Sequence, residues 1–106
     1  MNIAQDRRIK PRVVCDYPVI VEGEDGDGNK YHENAKLINL SASGLYMSAN
    51  RNIEIGSKLG LIILLNSELL DKDTPKLATT GIVVRSESQI DGAFGIAFKI
   101  NNYRFL

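Results

Sequence analysis

Short runs of alternating apolar and polar residues, separated by turn-forming residues, constrain the fold of this chain more than any other feature. Near the end of the sequence, every second position is apolar at Phe94, Ile96, Phe98 and Ile100. Successive side chains of a β-strand point to opposite faces, so this spacing predicts a strand with one face in a core. A helix would require a period of 3.6 residues instead.

The first such run begins at Val13. One parity is apolar at Val13, Cys15, Tyr17, Val19 and Val21, while Arg12, Asp16 and Glu22 have the other parity. This pattern predicts a half-buried strand, with Cys15 as a small core residue and Arg12 on the face away from the core. The dense turn formers of segment 24–29 then predict a hairpin, and segment 31–40 predicts the returning strand.

Further short strands are predicted along the rest of the chain. Four are predicted: one at 45–48, one that includes Ile53, Ile55 and 59–65, one that includes Ala78, Thr80, Ile82 and Val84, and one at 94–100. Segment 66–76 is polar and predicts a loop, and Ile90-Asp91-Gly92 predicts a turn. Six or so strands with no long amphipathic helix predict an all-β, antiparallel barrel or sandwich. We expect a single domain over residues 1–106, with an arm at 1–12 and the strands at 13–100.

Charge is balanced overall but unevenly distributed. Lys plus Arg and Asp plus Glu each number 13, so the whole molecule has no net attraction for polyanions. Residues 6–12 nevertheless carry four basic side chains and one Asp, and the region 22–33 is acidic. A basic arm on a neutral body favours a small anion over DNA or RNA, which usually requires a wider basic face.

Several classes of protein are not favoured by the composition. A single cysteine permits no internal disulfide and indicates a cytoplasmic protein. The N-terminus lacks the apolar core of a secretory signal, and the longest apolar run, Leu59–Leu65, is too short for a membrane helix. Ser41 has no histidine base arranged beside it, so we expect no enzyme, no catalytic residues and no cofactor.

Two short segments carry the residues most suited to ligand recognition. Arg7, Arg8 and Arg12 are clustered before the first strand, and Asn39–Gly44 forms a polar turn closed by glycine. Guanidinium groups bind phosphate and the O6/N7 edge of guanine in a bidentate manner. Asn39 can donate to and accept from a base edge, Ser41 can bind phosphate or backbone, and Gly44 permits a positive φ. Read alone, each segment would be a solvated basic tail or an ordinary serine-rich turn.

Together, the two segments resemble the signature of the PilZ domain family, bacterial receptors for cyclic di-GMP. The family pattern, RxxxR followed by [D/N]xSxxG, is matched at Arg8, Arg12, Asn39, Ser41 and Gly44. The resemblance extends from about residue 6 to residue 100 and selects a six-stranded antiparallel β-barrel over a sandwich. It implies that a flexible basic N-terminal arm folds over the barrel when ligand binds, with little or no C-terminal helix after residue 100.

The resemblance also implies roles for individual residues. Arg8 and Arg12 would contact phosphate and guanine, Asn39 and Ser41 would line the barrel wall, and Gly44 would shape the turn. Arg85, on a later strand, is a weaker candidate for the same site. An arginine directly before RxxxR is associated in this family with two ligands per protomer, which suggests that Arg7 contacts a second nucleotide. An unidentified effector protein would receive the signal.

Other functions remain as alternatives. A PilZ-like domain that binds protein and no nucleotide is the first, and a single-stranded nucleic-acid barrel is the second. The second requires exposed aromatic residues, whereas the aromatic residues here lie mostly at core parity. The segment 25–29 imitates the start of a calcium loop, but Lys30 and Lys36 stand where glycine and glutamate are needed, so we expect no metal. His32 is predicted to be a surface strand residue.

Overall fold

The computed structural model describes the side chains of residues 17–65 and 75–106, together with the backbone of residues 13 and 14. The arm at 1–12, Cys15 and most of the predicted 66–76 loop lie outside the described residues. The described part contains seven strands, β1 Val13–Val14, β2 Pro18–Glu24, β3 Lys30–Leu40, β4 Gly44–Ala49, β5 Lys58–Leu64, β6 Lys76–Ser88 and β7 Phe94–Phe105. No helix in this part of the chain is long and apolar enough to cross a membrane.

Six of these strands close into a barrel. The hydrogen-bonded order is β3-β2-β5-β6-β7-β4, and β4 pairs again with β3. Every pairing is antiparallel. Closure gives nearly every barrel strand a neighbour on both sides, which removes the exposed edges of an open sheet. The predicted six-stranded antiparallel β-barrel is therefore confirmed.

The short strand β1 runs beside the C-terminal end of β3. Val13 pairs with Leu40 and Val14 with Asn39, and β2 continues along the same edge of β3 from the Pro18–Lys36 pair. The register shifts by one residue between these two segments. The single strand predicted from Val13 is thus interrupted before Pro18, although both parts follow one partner strand.

Alternation along the strands builds the core as the sequence predicts. The buried apolar residues are Val19, Val21, Leu37, Leu45, Met47, Ala49, Ile53, Leu59, Leu61, Ile63, Leu77, Val83, Ile96 and Phe98. Strand β7 follows the prediction closely, since Ile96 and Phe98 are buried while Phe94 and Ile100 pack at the margin of the core. Sequence pattern alone therefore identifies the inner face of this strand.

Strand β6 exists, but the face suggested by its sequence is wrong. Ala78, Thr80, Ile82 and Val84 are intermediate or exposed, and the buried set is Leu77, Thr79, Gly81 and Val83. The pattern was ambiguous because both parities of this segment contain small or apolar side chains. The hydroxyl of Thr79 is buried and finds no hydrogen-bond partner in the described part of the chain.

The prediction that Ile53 and Ile55 begin the strand that runs through 59–65 is also wrong. Strand β5 starts at Lys58, after a turn in which Gly56 has a φ of +94°. Backbone bonds from Gly56 N to Val83 O and from Val83 N to Ser57 O fasten this turn to β6. Ile53 still reaches the core from the loop, whereas Ile55 is exposed.

The two hairpin turns predicted from sequence are confirmed. In the first, the Asp25 carboxylate accepts bonds from the backbone N–H groups of Asp27 and Asn29, at 2.9 and 3.0 Å. These bonds hold the pKa of Asp25 below its usual value. In the second, Gly92 has a φ of +87° and its N–H donates to Gln89 O.

The end of β7 departs from the predicted boundary at residue 100. The strand continues to Phe105 and remains paired with β6, from Thr80–Asn102 to Leu77–Phe105. Tyr103 and Phe105 are 58% and 70% exposed. The expectation that the aromatic residues lie mostly in the core therefore fails at this end of the barrel.

Gly44 occupies the seam between β4 and β7. Its φ is not positive, so the left-handed conformation that the sequence suggested is not the reason for glycine here. A Cβ at this position would instead lie 2.8 Å from the backbone oxygen of Phe98. Close approach of two backbones is what requires glycine.

We expect Gly44→Ala to lower the free energy of unfolding by about 1–3 kcal/mol, because β4 and β7 must separate to admit the methyl group. Gly26→Ala is the matched control, since nothing lies within 4 Å of a Cβ there and its φ is not positive. Urea unfolding of the two variants measures the difference. Equal stabilities would show that the seam absorbs a methyl group without cost.

Candidate functional site

The turn at Ser41–Gly44 joins β3 to β4 and is held by its own serine. The backbone N–H of Ser41 donates to Gly44 O at 2.9 Å, and the Ser41 hydroxyl donates to the same oxygen at 3.2 Å. The hydroxyl proton is therefore used within the turn. The Ser41 oxygen keeps acceptor capacity, which suits a guanidinium or a guanine N–H as its partner.

The same turn is fastened to β7. Ile100 N donates to Ser43 O at 2.9 Å, and Gly44 pairs with Lys99. The turn is thus closed by its own bonds at Ser41 and held against β7 through Ser43. A binding surface built on this turn would need little reorganisation before a ligand arrives.

Asn39 lies in β3 immediately before the turn, on a row of residues that crosses four strands. Asn39 pairs with Tyr46 of β4, Tyr46 with Ala97 of β7, and Ala97 with Arg85 of β6. Directly opposed residues of antiparallel strands project to the same side of the sheet. Since the alternate residues Leu45, Met47, Ile96 and Phe98 are buried, this row lies on the outer face of the barrel.

The row places two of the predicted site residues on one face. Asn39 and Arg85 are separated by three strand spacings, which corresponds to roughly 14 Å between their backbones. Tyr46 lies between them and was not identified from the sequence as a site residue. Tyr46 follows Gly44 by two residues and alternates with the apolar Leu45. This position, on the outer face beside the turn, was the sequence signal that could have identified it.

Polar contacts link the residues at the β6 end of this face. The Tyr46 hydroxyl donates to Glu87 Oε1 at 3.1 Å and accepts from Gln89 Nε2 at 3.4 Å. Arg85 Nε lies 3.7 Å from Glu87 Oε2. Burial, followed by the bond to Glu87, raises the pKa of Tyr46. Arg85 therefore has a carboxylate beside it, and an anionic ligand would have to compete with that exposed ion pair.

The N-terminal strand enters the barrel beside the same turn. Val14 pairs with Asn39 and Val13 with Leu40, so the backbone of β1 borders the residues that lead into the turn. Val13 is the residue that follows Arg12 in the sequence. Arg7, Arg8 and Arg12 themselves lie outside the described residues, and their predicted contacts remain predictions.

The acidic end of the barrel offers a different surface. An open cavity of about 590 Å³ lies at the end of β3 opposite Asn39, and its charged lining residues are Glu22, Glu24, Asp25, Lys30 and Lys58. Its carboxylates do not suit an anionic ligand. His32 is exposed there, as predicted, with Nε2 2.9 Å from Glu22 Oε2. Within the residues described, no group of three or more His, Cys, Asp or Glu could hold a metal ion.

Comparison with known structures places the barrel among similar domains. It superposes on the structure of the Bacillus subtilis inhibitor of motility, MotI/DgrA, with a TM-score of 0.70 and 19% identity over 92% of this chain. It also superposes on the PilZ domain of YcgR from Escherichia coli, solved with c-di-GMP, with a TM-score of 0.60 and 12% identity. The second match covers 91% of this chain and 79% of the other.

The match to MotI/DgrA covers only 44% of that protein, so this chain spans less than half of its length. At these identities, the two structures establish a shared fold. No curated protein matches the sequence. The model of the PilZ domain, in contrast, matches residues 6–104, which is nearly the whole chain. The closed barrel, the intact turn and this match together show that the chain belongs to the PilZ domain family.

Proposed function

We propose that this chain is a cytoplasmic receptor for cyclic di-GMP that relays the level of the second messenger to an effector protein. One observation carries the proposal: β1, which follows Arg12 directly, is paired with Asn39 and Leu40 at the start of the signature turn. The residue that follows Arg12 thus lies beside the turn, which supports a site built from both halves of the signature. Family membership supports this function, as does the ligand-bound structure of the YcgR domain.

Each site residue has a proposed role in ligand binding that follows from its chemistry. Arg8 and Arg12 supply guanidinium forks for phosphate oxygens and for the O6/N7 edge of guanine. Asn39, on the outer face, supplies an amide that both accepts and donates at a base edge. Ser41 and Gly44 hold the turn in shape, since the hydroxyl proton of Ser41 is bonded to Gly44 O.

Asn39 sets the electrostatic character of this wall. Its amide oxygen can accept a hydrogen bond from guanine N1–H or N2–H, but it carries no charge. Hydrogen bonds to ionised groups are roughly twice as strong as neutral ones, so a carboxylate at this position would hold guanine more tightly. We therefore assign most of the binding free energy to the arginines of the arm.

Binding is proposed to order the arm. Four basic side chains within residues 6–12 repel one another until an anion lies between them, and the segment has few apolar groups to bury. The arm is continuous with β1 beside the turn, so its ordering would change the surface next to Asn39. That change is the signal offered to the effector, and no catalytic step is involved.

We expect Arg8→Ala and Arg12→Ala each to weaken cyclic di-GMP binding by about 1.5–3 kcal/mol or more, because each removes a charge-assisted fork. Isothermal titration calorimetry measures the loss, and thermal unfolding should show an unchanged barrel. Arg104→Ala is the matched control, since Arg104 is exposed on β7 and belongs to neither half of the signature. Wild-type affinity in both arm variants would contradict the site.

The same titration tests the role of Arg7. In an extended arm, Arg7 and Arg8 point in opposite directions, which leaves Arg7 able to cover a second nucleotide stacked on the first. We expect about two nucleotides per wild-type chain and a fall toward one in Arg7→Ala. One nucleotide per chain in both proteins would leave Arg7 without a ligand contact.

A third measurement tests the ordering of the arm. Amide exchange of residues 1–12 should slow when cyclic di-GMP is added, while exchange in β5, which lies away from the β3–β4 turn, should change little. Equal exchange with and without ligand, in a chain that binds the nucleotide, would remove the proposed signal. A chain that binds no nucleotide at all would instead support the alternative, a PilZ-like domain that interacts only with protein.

A further inference from the structure

The C-terminal part of β7 has a partner on one side only. Strand β4 pairs with β7 from Phe94 to Lys99, and a bond from Ile100 N to Ser43 O ends that contact. From Asn102 to Phe105, β7 is paired with β6 on its other side. Among the described residues, no strand pairs with the second edge of this segment.

The register shows which backbone groups lie on that open edge. Leu106 N donates to Lys76 O at 2.9 Å, so this is a hydrogen-bonded pair of the β6–β7 ladder. In an antiparallel ladder, hydrogen-bonded pairs alternate with pairs whose N–H and C=O groups point away from each other. The N–H and C=O of Tyr103 and of Phe105 therefore point to the side opposite β6.

The open edge also carries three exposed apolar or aromatic side chains. Tyr103 and Phe105 are 58% and 70% exposed, and Leu106 is 61% exposed. The two rings contact each other edge to face, with centroids 6.5 Å apart. They project to the side of the buried residues Thr79 and Leu77, with which they pair.

Natural sheets usually protect such an edge with lysine, proline, a bulge or a covering segment. Residues 101–106 contain neither lysine nor proline, and Arg104 is their one charged side chain. A register shift at Asn101 marks the start of the edge, and the ladder from Asn102 to Phe105 is regular. Arg104 is opposite Ala78 and so has the parity opposite that of the rings. The edge is thus suited to accept another strand.

We propose that this edge pairs with the same edge of a second copy of the chain, antiparallel, with Tyr103 on the two-fold axis. Tyr103 would then exchange both backbone hydrogen bonds with the partner's Tyr103, which the orientation of its N–H and C=O allows. Phe105 would lie opposite the partner's Asn101, where a register shift interrupts the ladder of β7. The two sheets would join in the order β6-β7-β7-β6.

Side chains along this pairing are compatible with one another. The axis places Arg104 opposite the partner's Asn102, so no like charges face each other. On the other face, Tyr103 and Phe105 of both copies form one aromatic row, because paired residues project to the same side. The paired segment is only five residues long. Stable complexes bury about 1,200–2,000 Å², so this association is weak and depends on concentration.

Disulfide capture tests the register directly. In a Cys15→Ser background, Tyr103→Cys places two cysteines on the axis at about 5.5 Å between Cα atoms, within the range of a disulfide. Asn102→Cys is the matched control, because that residue and its copy lie diagonally across the axis, beyond about 7 Å. Oxidation should give a covalent dimer as the main product for position 103 and a background amount for position 102.

Sedimentation equilibrium from micromolar to millimolar concentration tests the unmodified chain. We expect a reversible monomer–dimer equilibrium that Tyr103→Lys shifts to monomer, because two ammonium groups would meet on the axis. Val84→Lys, on an exposed site of β6, should leave it unchanged. A chain that stays monomeric at every concentration overturns the proposal. Amide exchange at Tyr103 and Phe105 would then tell whether the edge is open or covered by another segment of the chain. Equal cross-linking at 102 and 103 overturns the register.

Discussion

The pairing of β3 with β4 is the interaction on which the rest of this structure depends. Without it, the sheet would be open, with β3 and β4 at its edges. With it, each of these strands has a barrel neighbour on both sides, and the alternate residues of all six strands converge on one core. The same pairing places the Ser41–Gly44 turn at the end of the barrel, where β7 approaches closely enough to exclude any side chain at Gly44.

Closure also explains why the proposed binding face is a wall and not a pocket. The interior is filled by apolar side chains, so a polar ligand has only the outer surface available to it. On that surface, the row from Asn39 to Arg85 crosses four strands whose relative positions are fixed by backbone hydrogen bonds. An open outer surface encloses a charged nucleotide only in part, and the arginines of the arm would have to enclose it from the other side.

Two ends of the barrel therefore have different characters. The signature end combines the turn, Asn39 and the point where β1 joins the wall. The opposite end of β3 carries three carboxylates, those of Glu22, Glu24 and Asp25, and two lysines around an open cavity. This separation keeps carboxylates away from the surface proposed for an anion, although Glu87 is an exception beside Arg85. The outer face thus contains its own competing charge, which the charge balance of the sequence did not reveal.

The sequence by itself determined the fold class, most strand positions and the family signature, because a period of two residues and a local motif are both written in neighbouring residues. Segment 94–100 and the turns at 25–29 and 90–92 show how much a local pattern can specify. The sequence did not determine which face of β6 points into the core, because both parities are apolar enough to be buried. It also did not determine where β5 starts.

Only the tertiary structure decided those points, since the face a strand buries depends on which strands cover it. It also decided why Gly44 is glycine, through the approach of a strand more than fifty residues away in sequence. The contact between Tyr46 and Glu87, and the open edge at Tyr103, have the same origin. Each arises from which strands lie side by side, and no pattern within a single strand specifies its neighbour.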